Sequence, residues 1–290
     1  IIGDVPRVVA HNSADVWANQ SLFNLDDNGQ PKTVAGVPPD YFSEYGQLWG
    51  NPHYDWVALS KTGYQWWIER FRALFKSVDI IRVDHFRGFE AYWEVPFGEK
   101  TAVNGKWVQA PGKELFQEII AKFADLQIIA EDLGNITPEV IALKQHFNLP
   151  GMNILQFSLL PNNEDEINFL CDYNSVVYTG THDNNTMIGW FNEDMGVSGK
   201  ELVRKYLTSK VRSSCESEDL LIEFAYSTRA RVVVIPLQDF LALDSSARMN
   251  LPGTVENNWQ WQCKKTDLSD ELAKKINEKV VYYQRNVNKS

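Results

Sequence analysis

Six short apolar runs that end in polar or charged residues punctuate the chain, at residues 1–11, 78–84, 127–131, 152–158, 175–181 and 231–235. Between them, apolar residues recur at helical spacing. The clearest case places Tyr64, Trp67, Ile68, Phe71, Leu74 and Phe75 on one face, which predicts an amphipathic helix. Thr137-Pro138 reads as a helix cap followed by proline at the first helical position, and a charged helix is predicted from about Ser269 to Arg285. Short strands alternating with helices predict an α/β protein with repeated βα units.

Eight such units close a barrel, so six leave two unaccounted for. The simplest expectation is a (β/α)8 TIM barrel truncated at its N-terminus, with residues 1–290 forming one catalytic barrel domain. Ile1-Ile2-Gly3-Asp4-Val5 reads as the inside of a strand and no initiator Met precedes it, which agrees with that expectation. An open doubly wound sheet is the alternative, although no glycine-rich phosphate loop supports it. Residues 12–61 are expected to carry a long functional loop, because Gln20 to Lys61 shows little strand or helix pattern and loops of that length are usually functional.

Composition narrows the partners. The 290 residues are 44% hydrophobic and 23% charged, ordinary for a packed globular protein. The formal charge of -10 repels phosphate backbones and anionic lipid, so neither nucleic acid nor a membrane is an expected partner. No apolar run approaches the roughly 18–20 residues that span a bilayer. Cys171, Cys215 and Cys263 are odd in number and widely spaced, which predicts no disulfide framework and suits a reducing compartment. We expect a cytoplasmic protein, or a plastid one should its source be a plant.

Three of the runs end in acids: Arg82-Val83-Asp84-His85, Ala130-Glu131-Asp132 and Thr181-His182-Asp183. In parallel α/β barrels the reacting groups sit where strands end, so these carboxylates are expected on one face. Arg82, two residues before Asp84, shares its side of the strand. Glycoside chemistry needs one ionised carboxylate and one protonated carboxyl. A neighbouring cation favours ionisation, which suits Asp84 as nucleophile; neighbouring carboxylates and desolvation oppose it, which suits Glu131 as acid/base. Retention or inversion depends on a carboxyl separation of about 5 Å or about 6.5–9.5 Å, which residue order leaves open. Each acid alone could be a turn or cap residue. Histidines beside acids could also hold a metal, but their spacing is not that of a helical metal motif, and no metal or organic cofactor is expected.

At these residues the chain resembles the amylomaltases, the disproportionating 4-α-glucanotransferases of glycoside hydrolase family 77 in the α-amylase superfamily. Ile81 to Phe89, Ile129 to Gly134 and Tyr178 to Thr186 resemble its three carboxylate-bearing segments. Gly36 to Ser43 and Gly46 to Pro52 resemble its groove loop. Ser13 to Trp17, Leu149 to Met152 and Ala247 to Gly253 point the same way. The resemblance implies that the runs are barrel strands three to eight. It implies that Asp84 forms a covalent glucosyl-enzyme intermediate in a retaining reaction, that Glu131 serves as acid then base, and that Asp183 stabilises the transition state. It makes Arg82 the residue that orients Asp84, and His85, His182, Tyr54, Trp49, Asn250 and Pro252 contacts to the sugar chain. The implied partners are maltodextrins and other α-1,4-glucans, as donor and acceptor. A hydrolase of the same superfamily and a non-catalytic glucan-binding protein are the alternatives. Trp259-Gln260-Trp261-Gln262 departs from the family's usual Trp-x-Trp-Arg, and the truncated barrel, with unpaired strand edges, is expected to be inactive on its own.

Overall fold

The computed structural model describes residues 1–39, 43–123, 125–160, 167–211, 219–254 and 256–286, in two compact units, Ile1–Gly151 and Met152–Ser290. Asp40 to Phe42 of the groove-loop string, and Cys215, lie outside the described residues.

The first unit holds β1 (Ile2–Val5), β2 (Thr33–Val37), β3 (Gln47–Pro52), β4 (Ile80–Val83), β5 (Ala91–Pro96), β6 (Lys106–Gln109) and β7 (Ile128–Ala130). β1, β4 and β7 form a parallel sheet with β4 in the middle. Period-2 alternation explains the middle strand: Ile81 and Val83 are buried, while Ile80 and Arg82 face the other way. Helix Gln65–Leu74 leads into β4 and buries Trp67, Ile68 and Phe71; of the other residues expected on its inner face, Tyr64 is buried and Leu74 and Phe75 pack against the same core. Helix Gly112–Lys122 leads into β7 and buries Leu115, Phe116 and Ile119. These side chains share one core with Ile81, Val83, Phe86 and Phe89, each contributing about 1.5–3 kcal/mol by leaving water.

The other four strands form an antiparallel sheet in the order β3-β2-β5-β6, over a small core of Val34, Val95 and Ala102. This corrects the expectation for Gln20 to Lys61: the segment contains β2, β3 and a helix at Trp56–Lys61. β3 is largely exposed and lacks clean alternation, so its pairing rather than its own pattern makes it a strand. Pairing is close where the β2–β3 register shifts, since a Cβ on Gly36 would meet the Gln47 carbonyl at 2.4 Å.

The second unit contains a three-stranded sheet in the order β10-β9-β8, from β8 (Gly151–Ile154), β9 (Ser175–Tyr178) and β10 (Val232–Val234). β9 and β10 run parallel, and every residue of β9 is buried. Helices Val197–Lys210 and Leu220–Ser227 cover a core that includes Val177, Val203, Leu207, Ile222 and Phe224. The charged terminal helix spans Asp270–Tyr282, with the Ser269 hydroxyl accepting from Leu272 N. Its Lys279 pairs with Asp219 at 3.2 Å and with Glu223.

Each of the six apolar runs therefore contains one strand. Among the described residues those strands form two three-stranded sheets and no closed barrel. The run at 152–158 is only partly strand, because Leu155–Ser158 turns into a short helix. No described helix is long and apolar enough to cross a membrane.

Candidate active site

β4 and β7 are neighbours, so their C-terminal ends deliver Asp84 and Glu131 side by side in sequence register, just beyond the paired Val83 and Ala130. Asp4 on β1 is register partner to Arg82 on β4, and the two side chains meet across the strands. Arg82 donates through Nη1 to Asp4 Oδ2 at 2.6 Å and through Nη2 to Asp84 Oδ1 at 3.1 Å. Burial alone would lower the Arg82 pKa, but Asp4, Asp84 and Glu131 outweigh it and raise it. The guanidinium is thus a fixed positive charge beside Asp84.

Glu131 has a different environment. Its Oε2 accepts from His85 N at 2.6 Å and its Oε1 from Leu133 N at 3.1 Å. Burial, then the charge of Asp84, push its pKa up to about 7 against the opposing pull of Arg82 and the two N–H groups. Neighbouring Asp132 is turned towards Lys144, with which it forms an ion pair.

The donor to Glu131 comes from an unusual turn. His85 lies in the left-handed region at φ 49°, ψ 51°, which costs a residue with a Cβ roughly 1–2 kcal/mol. Gly88 N returns to His85 O at 2.9 Å and Phe86 N reaches Glu131 O at 3.0 Å, so the turn is over-determined. Gly88 is required there, because a Cβ would lie 2.5 Å from Arg7 Cδ and 2.7 Å from His85 Cδ2. Arg7 is buried beneath the turn, with Nε donating to Gly88 O at 2.9 Å and its guanidinium 4.8 Å from the centre of the Tyr92 ring. Burial, with Arg7 and Arg87 adding to it, lowers the His85 pKa to about 3, so the ring is neutral near pH 7. Trp49, exposed on β3, meets the His85 ring edge-on at 4.9 Å.

Tyr54 is a correction. It is 3% exposed, its hydroxyl donates to Arg7 O at 2.8 Å, and its ring packs against Phe23, Trp56, Trp66 and Trp67. Those contacts make it core, where sequence resemblance had placed it against the sugar chain.

In the second unit, Asp183 follows β9 on a turn held by the chain near residue 250. Asn250 Nδ2 donates to Asp183 Oδ1 at 2.6 Å, Arg248 Nη2 donates to Asp183 O at 2.6 Å, and Asn250 N donates to His182 O at 3.0 Å. His182 Nε2 lies 3.3 Å from Asp183 Oδ2, and its ring faces Trp259 at 5.2 Å with a 36° tilt. Trp259 is itself in the left-handed region at φ 61°. Pro252 is exposed on the adjoining turn.

Sequence reasoning expected the three carboxylates on one face; the structure gathers Asp84, Glu131, Arg82, His85 and Trp49 in the first unit, and Asp183, His182 and Asn250 in the second. Sequence reasoning missed Asp4, although Gly3-Asp4-Val5 is also an acid at a strand end, and it missed Arg248 and Trp259 as parts of the Asp183 turn. Among the described residues no group of three or more His, Cys, Asp or Glu side chains could hold a metal ion. A concavity of about 940 Å3 bordered by Trp56, Lys61, Glu90, Glu114, Glu139 and His146 contains none of the expected site residues.

Residues 1–268 match the profile of glycoside hydrolase family 77, described as 4-alpha-glucanotransferase. The chain belongs to this family. It is 51% identical over 280 residues to the 4-alpha-glucanotransferase of Synechocystis sp., covering 94% of this chain and 54% of that protein. The chloroplastic/amyloplastic 4-alpha-glucanotransferase of Solanum tuberosum is 44% identical over 299 residues, covering 98% and 50%. Among solved structures, the amylomaltase from Streptococcus agalactiae in complex with acarbose superposes with a TM-score of 0.92 at 38% identity, covering 99% of this chain and 58% of that one. The chain thus spans about half the length of these relatives.

Proposed function

We propose that this family 77 chain carries the reacting carboxylates of a 4-α-glucanotransferase, which moves α-1,4-glucan segments between maltodextrins by retaining double displacement. The observation that carries the reading is the contrast between two neighbouring acids. Asp84 is fixed by Arg82 at 3.1 Å, whereas Glu131 is pushed to about 7 by burial and by Asp84. One is suited to attack the anomeric carbon as a carboxylate, the other to give a proton to the leaving oxygen and later remove one from the acceptor. The bond from the anomeric carbon to the glycosidic oxygen breaks as the bond to Asp84 forms. A 4-hydroxyl of a second glucan then displaces Asp84, with its proton returning to Glu131.

In this reading Asp183 holds hydroxyls of the distorting sugar, with His182 and Asn250 beside it. Neutral His85 and the exposed Trp49 contact the sugar chain, and Pro252 borders it. The six strands are read as strands three to eight of a (β/α)8 barrel whose catalytic domain includes residues 1–290, with residues 12–61 shaping the groove. The acarbose bound by the Streptococcus agalactiae relative supports an α-glucan substrate. The activity is assigned to the cytoplasm, or to a plastid in a plant.

Maltotriose disproportionation by the full-length protein tests the proposal. Longer and shorter maltodextrins formed by the wild type and lost in Asp84→Ala are expected. Glucose release without elongation would replace transfer with hydrolysis, and binding without turnover would reduce the protein to a glucan-binding role.

A further inference from the structure

Asp239 is a carboxylate that the mechanism above does not use. It is 2% exposed, on the short helix Leu237–Phe240 that follows β10, and burial raises its pKa. It takes no part in an ion pair among the described residues. Burying an acid without a cation is costly unless hydrogen bonds replace its water, and two do so here. Oδ2 accepts from Thr179 Oγ1 at 2.6 Å, and Oδ1 accepts from Met187 N at 2.7 Å.

Those two donors have a common meaning. Thr179 is the first residue beyond β9 and Met187 opens the next helix, so they are the two ends of the turn that carries His182 and Asp183. One carboxylate ties both ends. Inside the turn, Asn184 Oδ1 accepts from Thr181 N and Oγ1 at 2.9 and 2.8 Å, and Gln156 Nε2 donates to Asn185 O at 2.8 Å. Asn185 Nδ2 in turn reaches Ser245 Oγ at 3.1 Å. Gln156, Ser245, Arg248 and Asn250 hold the middle of the segment, and Asp239 holds its two ends.

We propose that Asp239 is a positioning residue for glucan transfer, whose buried carboxylate fixes both ends of the 180–186 turn and thereby the aim of Asp183. The inference rests on the role assigned to Asp183 under the proposed function. Asp239 touches no sugar, so its effect is transmitted through Asp183. A carboxylate displaced by a fraction of an ångström loses hold on the distorted sugar while ordinary ground-state contacts persist, which lowers kcat more than it changes KM.

The test is a double-mutant cycle in the full-length protein, with an α-maltosyl fluoride donor that keeps slow variants measurable. Asp239→Ala is expected to lower kcat by about 100-fold with KM changed less than about threefold. Asp239→Asn is expected to remain within about threefold of wild type, because its amide oxygen accepts from Met187 N while Thr179 Oγ1 turns to accept from Nδ2. In an Asp183→Asn background, Asp239→Ala should cost less than about threefold, since residues acting as one unit are not additive. An equal factor in both backgrounds would overturn the proposal, as would a lowered melting temperature at unchanged kcat. If Asp239→Ala does not accumulate, Thr179→Val removes one tie while keeping shape, and a wild-type kcat in that variant also overturns it. Full transfer by Asp183→Asn alone would instead remove the role of Asp183 itself.

Discussion

Asp84 and Glu131 end neighbouring parallel strands in the first unit, whereas Asp183 stands on a turn in the second, and the two regions hold their carboxylates by different means. In the first, burial and charge do the work: Arg82 is shared between Asp4 and Asp84, and Glu131 is pushed to about 7. In the second, Asp183 is 45% exposed and is aimed by hydrogen bonds from Asn250 and, through its backbone, Arg248. Asp84 at 39% exposure is nearly as open as Asp183, so the difference lies in Glu131, whose burial beside a second acid sets a protonation state, whereas the bonds to Asp183 set a direction. Substitutions in the two regions should therefore fail in different ways.

The largest expected effect is on rate in the first region. Asp84→Ala is expected to lower maltotriose disproportionation by on the order of 10⁴-fold or more, because no attacking group replaces it. Glu131→Gln should lower it by about 10²–10⁴-fold, and less with a good leaving group such as fluoride, where proton donation matters little. A Glu131→Gln enzyme equally slow in the first step with both donors would exclude Glu131 as the acid.

The second prediction separates the regions by pH. Glu131 must be protonated to act as acid, so kcat/KM should fall as pH rises above about 7. Arg82 opposes the upward shift of Glu131, so Arg82→Met should move that limb to higher pH as well as slowing transfer. Asn250→Ala should cost about 10- to 100-fold in kcat and leave the limb where it was. A limb that moves in Asn250→Ala would break the distinction between a region that sets protonation and one that sets aim.

The strand ends that carry these groups were legible because six runs interrupt the chain with acids directly after three of them. Local pattern suffices for that. It did not suffice for the antiparallel strands β2 and β3, whose Gly36 and Gly50 interrupt alternation and whose stability comes from mutual pairing and from β5. Nor could it bring Arg248 and Asn250 to Asp183, or Asp239 to Thr179, across some sixty residues of sequence. Asp4 was readable in principle, since it sits in strand register with Arg82, but only the pairing of β1 with β4 gives it a purpose.

Stability should follow the same proton. Glu131 has a folded-state pKa of about 7 against an ordinary value of 4.5, so the native state retains a proton that the unfolded chain releases. The resulting stabilisation is present below about pH 4.5 and is lost as pH rises through 7, a change of about 3 kcal/mol. Glu131→Gln removes the titration but turns an NH2 towards one of the two N–H groups that Glu131 accepts from, so it should be less stable than wild type at pH 4 and its deficit should shrink by up to that amount at pH 8. Urea denaturation at both pH values decides it, and a deficit that is the same at pH 4 and pH 8 would remove burial as the cause of the shift.

The smallest effect is expected at Tyr54, where residue type alone misleads. An aromatic side chain beside a groove loop can stack on sugar or fill a core, and both use the same apolar surface. Its ring lies among Phe23, Trp56, Trp66 and Trp67, and its hydroxyl donates to Arg7 O beside the Arg70 side chain. Tyr54→Phe keeps the ring and leaves that carbonyl short of a donor, which should cost about 1 kcal/mol of stability. Since Arg7 supports the His85 turn through Gly88, any change in transfer should appear in kcat, and KM for maltotriose should stay within about twofold. A raised KM at unchanged stability would return Tyr54 to the sugar-binding surface.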